Sequence, residues 1–145
     1  MATEGAGQGM PPLHAIQPRR ALCATMLLLT SLSAHAEWQA YASTEVGGQT
    51  YYLDPTTIKP SSIGFTVDVL SNYPVPIKES FATFQSIQSA VEMDCVNHQL
   101  RDIDMRFHLK PMGEGKVAYQ EMGSGEFQSW PPDSVNERLH DILCQ

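Results

Sequence analysis

Two cysteines, Cys95 and Cys144, sit in segments of different period, and that combination restricts the fold more than any other feature of the chain. Val91, Met93 and Cys95 share the two-residue parity of a strand, which aims Cys95 into a core. Cys144 closes a run in which Val135, Leu139, Ile142 and Leu143 recur at helical spacing. Bonded to each other, the two sulfurs would staple a C-terminal helix onto a sheet. The alternative is two separate buried thiols.

The choice between them turns on compartment, and the N-terminal segment speaks to that. Arg19 and Arg20 precede an apolar run from Ala21 to Leu32, and Ala34 and Ala36 flank His35. This is the order of a secretory signal peptide with an A-x-A cleavage site, so residues 1–36 are expected to be removed after Ala36. A membrane-spanning helix needs roughly twenty apolar residues, more than this run offers. Cys23 comes too early for lipid attachment, because a lipidated cysteine follows the apolar run. The Gly-rich start with Glu4 is unusual for such a peptide, and Met10 would give a more ordinary beginning than Met1. Cys95 and Cys144 are then the only cysteines left in a protein bound for an oxidising compartment, and a disulfide is expected.

Residues 37–145 number 109, the size of one domain with one core. They carry seven Lys and Arg against fifteen Asp and Glu, a net charge of −8. Such a balance argues against nucleic acid or an anionic membrane as partner, since phosphate recognition depends on Lys and Arg.

Alternation dominates until the last dozen residues. Trp38–Thr44 and Gln49–Leu53 read as a hairpin whose turn uses the positive φ open to Gly47 and Gly48. Asp54-Pro55 is expected to open a turn, and Pro60-Ser61-Ser62 continues the irregular stretch. From Gly64, Phe65, Val67 and Val69 oppose Thr66, Asp68 and Asn72 in a strand apolar on one side, which Pro74 and Pro76 should end. Phe81 and Ile87 share parity with Val91, Met93 and Cys95, although a helix competes for Ser80–Ala90. Ile103, Met105, Phe107 and Leu109 then face one way, and Asp102, Asp104, Arg106 and His108 the other. Pro111-Met112-Gly113 turns the chain toward a strand marked by Val117 and Tyr119. Ser134 and Glu137 form a capping box ahead of the helix. The fold class is therefore α+β: a single small antiparallel β-sheet with a C-terminal α-helix packed on it and tied by the disulfide.

The order and spacing of several segments resemble the surface-adhesin protein E-like domain family of Gram-negative exported proteins. They are Glu37-Trp38, Thr50-Tyr51-Tyr52-Leu53-Asp54-Pro55 with Ile58, Val91-Glu92-Met93-Asp94-Cys95, Pro111-Met112-Gly113 with Val117, and Trp130-Pro131-Pro132 before a helix ending in Cys144. The resemblance covers nearly all of 37–145. It implies a helix held against an antiparallel sheet by a disulfide, and adhesion to host matrix proteins.

Catalytic signals are weak. Asp102 and Asp104 share their expected face with Arg106 and Lys110, as a solvated charged surface would; His98, His108 and His140 lack the convergence zinc requires and read as surface residues. Gly113-Glu114-Gly115-Lys116 lacks the spacing and the Ser or Thr of a phosphate loop, and no G-x-S-x-G elbow occurs. Neither a cofactor nor a metal is expected, and the chain is read as a non-catalytic exported binding module with a protein partner. The alternative is a periplasmic accessory protein that binds an envelope component; a small hydrolase with an unrecognised site is the third class. Among Trp38, Tyr51, Tyr52, Tyr73, Tyr119 and Trp130, Trp38 and Tyr52 are assigned to the core and Tyr51 to an exposed binding surface, because Tyr and Trp dominate interface hot spots. A free sheet edge can also pair with a second copy, so a homodimer is a further expectation. The location expected is the periplasm or the cell surface.

Overall fold

The computed structural model describes Gly9 and residues 36–145; the expected signal peptide lies almost wholly outside the described residues. Among the described residues, seven strands and one α-helix follow in chain order: β1 (Gln39–Ser43), β2 (Thr50–Pro60), β3 (Gly64–Lys78), β4 (Thr83–Asp94), β5 (Gln99–His108), β6 (Val117–Met122), β7 (Gln128–Ser129) and α1 (Val135–Leu143). Strands β1 to β6 form an antiparallel meander in sequence order, and β7 adds a short pairing to β5. Every connection between sequential strands of the meander is thus a local return, which suits short turns rich in Gly, Pro, Asn and Ser.

The first hairpin closes as its glycines require, with Gly47 at φ 87° and Gly48 at φ 63°. Ser80–Ala90 resolves as strand from Thr83 onward. The core joins Leu53, Val67, Val91 and Met93 of the sheet to Leu139 and Leu143 of α1, with Tyr41, Phe65, Val69, Leu100 and Trp130 around them. Cys95 and Cys144 are bonded at its rim, their Cα atoms 5.5 Å apart.

Three strands depart from the alternation. Asp54-Pro55 opens no turn, because β2 continues to Pro60 with its register against β3 broken between Asp54 and Lys59. Side chains replace the missing ladder bonds there. Asp54 Oδ1 accepts from the Thr56 amide at 2.9 Å and its hydroxyl at 2.6 Å, while Thr57 Oγ1 accepts from the Asp68 amide at 2.9 Å. Likewise Pro74 and Pro76 do not end β3, which runs to Lys78; the register irregularity between Asn72 and Ile77 falls where the prolines offer no N–H.

In β5 the register passes from Ala90↔Asp104 to Val91↔Asp102, leaving Ile103 unpaired. This bulge moves Asp102 to the helix side while Asp104 keeps the opposite face, and Ile103 is 38% exposed. Leu109 lies beyond the strand and is exposed as well.

The second face of the sheet is covered too, contrary to a strand apolar on one side. Leu70, on the face away from α1, is fully buried. The 3-10 turn Pro111–Gly113 is bound over that face: Asn72 Oδ1 accepts from the Met112 amide at 2.8 Å, and the buried Ser86 hydroxyl accepts from the Gly113 amide at 2.9 Å while donating to the Lys110 carbonyl at 2.7 Å.

At α1 the cap is half as expected. Ser134 Oγ accepts from the Glu137 amide at 3.2 Å, but the Glu137 carboxylate reaches back to the Asp133 amide rather than to Ser134. Leu139 and Leu143 are buried, whereas Ile142 is 44% exposed and drops out of the apolar stripe.

Candidate binding surface

Tyr51, expected to be exposed opposite Tyr52, is half-buried, and so is Tyr52. Tyr51 stands on the helix side of β2, beside Tyr41 at a ring-centroid distance of 6.4 Å, and its hydroxyl donates to Gln49 Oε1 at 3.1 Å. The two tyrosines line a groove of about 150 Å³ between the sheet and α1, together with Asp102, Val135 and Asn136. Burial, with Tyr41 and Tyr51 acting on each other, raises the Tyr41 hydroxyl far above the ordinary tyrosine range; burial raises Tyr51 too, assisted by Tyr73. Both therefore remain neutral hydrogen-bonding groups at physiological pH. Desolvation likewise raises Asp102, with Glu121 adding repulsion.

Trp38 is only partly buried and, like Tyr52, lies outside the core cluster, where Tyr41 takes the place expected for them. Trp38 instead walls a cavity of about 790 Å³ on the face away from α1, with Ala36, Gln88 and residues 112–115. That turn cannot cradle a phosphate. The amides of Met112, Gly113 and Glu114 are already taken by Asn72, Ser86 and Pro111.

Phe81, expected in the strand, lies in the β3–β4 connection and is 49% exposed. It joins Phe84, Phe107 and Tyr119 in an aromatic cluster, its ring 4.7 Å from that of Tyr119. Surface aromatics of this kind suit protein contacts more than chemistry.

The histidines are not all on the surface. His108 is 7% exposed, and neither ring nitrogen makes a hydrogen bond. Burial pushes its imidazole below the ordinary value; the Gly115 backbone, close to the ring but outside hydrogen-bond geometry, works against this, and Arg106 adds to the lowering. His140 is partly buried beside the disulfide, its Nε2 3.2 Å from the Cys95 carbonyl oxygen, and it stacks on the exposed His98 at 4.2 Å. No strand parity places those two together; only the helix docking does.

Asp102 and Asp104 lie on opposite faces, so they cannot share a cation. Among the described residues no group of three or more His, Cys, Asp or Glu side chains is gathered as a metal site would need. Arg101 donates through Nε to Glu92 Oε2 at 2.8 Å and covers the Phe127 ring at 4.6 Å, and Arg106 pairs with Asp104 at 3.2 Å. Both guanidiniums are thereby committed to carboxylates of their own sheet.

A meander sheet with one helix bound to it by a disulfide defines a small α+β domain, with aromatic side chains lining the groove between the two. Residues 38–145 match the model of the surface-adhesin protein E family, and the chain belongs to that family. In fold it is similar to solved structures of Haemophilus influenzae protein E. One aligns with a TM-score of 0.52 at 17% identity, covering 72% of this chain and 83% of that one. Crystal form II aligns at 0.51 and 18% identity, covering 65% and 79%. No curated protein matches the chain in sequence.

Proposed function

We propose that this chain is an exported, non-catalytic binding module that works as a surface adhesin for host matrix proteins. The observation that carries this reading is the family match, which spans every element from β1 to α1. The partly exposed aromatic side chains support it, and Tyr51 with Tyr41 is the binding surface assigned here. In this reading residues 1–36 are a cleaved signal peptide and Glu37–Gln145 is the mature domain. No helix among the described residues is long and apolar enough to cross a membrane.

Protease treatment of intact cells tests the location, with a periplasmic protein as control. Loss of the domain while the control survives is the expected result. The purified domain should then bind immobilised matrix proteins saturably, and Tyr51→Ala should weaken that binding by about tenfold, the scale of an interface residue worth somewhat over 1 kcal/mol. Protection until the outer membrane is opened would overturn the adhesin reading. It would favour a periplasmic accessory protein that binds an envelope component.

A further inference from the structure

Asp54 is the most buried acid among the described residues, 3% exposed. Its nearest rivals are compensated: Glu92 by Arg101, and Asp94 by Asn97 and Val96. Asp54 has no Lys, Arg or His within ion-pair distance among the described residues. Oδ1 is satisfied by Thr56, as described above. Oδ2 accepts from a single donor, the backbone nitrogen of Glu37 at 3.3 Å. A buried carboxylate without a counter-charge is costly, yet this one is aimed at the nitrogen of the bond that the Ala34-His35-Ala36 pattern marks for cleavage.

We propose that hydrolysis of the Ala36–Glu37 bond creates the missing partner, so that the new α-ammonium of Glu37 forms an ion pair with Asp54 and locks the mature fold. Water adds across the bond, catalysed by a peptidase that accepts small residues at Ala34 and Ala36. Its oxygen ends on the Ala36 carbonyl carbon as the carboxylate of the leaving peptide. The Glu37 nitrogen keeps the bonding pair and takes up the two protons of water to become –NH₃⁺. Before cleavage the same nitrogen is a neutral amide with one proton to give; afterwards it is a cation with three. Ala36 also leaves the wall of the 790 Å³ cavity, placing the charge at that rim beside Trp38.

The ion pair has a pH signature. An α-ammonium has an ordinary value of about 7.7–8.0, and pairing raises it in the folded state. The stabilisation is therefore complete below about pH 7.5 and is lost as pH rises through the raised value. Asp68 on β3 stands opposite Asp54, with Asp104 and Arg106 of β5 acting on Asp68 from its other side; Glu114 lies across the cavity, and the Glu37 side chain is on the same residue as the new amine.

This inference rests on the export reading above, and the test separates the two. The full chain is expressed with export in a Gram-negative host, recovered, and its intact mass measured; a chain beginning at Glu37 is expected. Its folding equilibrium constant should fall by about tenfold or more between pH 7 and 9.5. Selective acetylation of the α-amine should remove that dependence, and so should Asp54→Asn. The acetylated protein keeps every side chain and so serves if the variant does not fold. An unprocessed full-length mass would overturn the export reading. Cleavage at another bond, or an equal pH dependence with and without acetylation, would overturn the ion pair while leaving export intact.

Discussion

His108 shows how a single side chain can govern the acid limb of a stability profile. Its imidazole is buried, lacks hydrogen bonds and has a lowered pKa in the fold, so it stabilises the native state above its unfolded value of about 6.5 relative to lower pH. That contribution is lost as pH falls through 6.5 toward the lower folded value. Chemical unfolding at pH 7 and pH 5.5 is expected to show a drop in stability that His108→Leu largely removes, with little cost at pH 7, because the leucine leaves no unsatisfied polar atom. An equal drop in both proteins would count against the assignment. Asp94 acts with the same sign only near and below pH 4, its carboxyl held low by Asn97 and Val96; Asp68, raised by desolvation, acts with the opposite sign. Parity put His108 on a polar face and so on the surface. The face was right, and its burial was invisible because it arises from the return of the chain over that face of the sheet.

Among the elements, α1 was the most legible and the long strands the least. A cap, a period and a cysteine define the helix locally, and its energetics divide along its faces. Leu139→Ala is expected to cost about 2–5 kcal/mol, since it empties a site 1% exposed, whereas Ile142→Ala should stay within about 0.5 kcal/mol. Urea unfolding of the two variants checks the contrast. The strands were recognised but not their continuity. Pro55, Pro74 and Pro76 remove donors, which reads as an ending when only propensity is weighed. Thr56, Thr57 and Gln85 supply bonds from side chains, and the chain stays in the sheet through an irregular register. The bulge at Ile103 leaves no sequence signal, since the residues on both sides of it keep an uninterrupted alternation. Its consequence for the site was large, because it separated Asp102 from Asp104. The groove at Tyr51 was half legible: the residue was singled out, but its neighbours Tyr41 and Asn136 come from elements whose packing only the tertiary structure reveals.

At the scale of the molecule the disulfide dominates. Cys95 and Cys144 are 49 residues apart in sequence, and closing such a loop stabilises by about 4 kcal/mol in the chain-entropy account, against a total of about 5–15 kcal/mol for a domain. Reduction, or Cys95→Ser with Cys144→Ser, is expected to lower Tm by more than about 10 °C in a thermal melt. An unchanged melt under reductant would show that the core alone suffices.

The same bond also decides how the domain would respond to being pulled. A force entering at Gln145 does not peel α1 away and travel back through β7, β6 and β5. It passes from Cys144 straight to Cys95 at the end of β4, in the middle of the sheet. Everything between the two cysteines is a closed ring that carries no tension. Stretched from Glu37, the oxidised chain can lengthen only as far as the residues before Cys95 allow, roughly 200 Å, about half the reach of the reduced one. Under flow or drag, an oxidised domain would yield along β1 to β4, the strands on the force path, while β5 to α1 stay inside the unloaded ring.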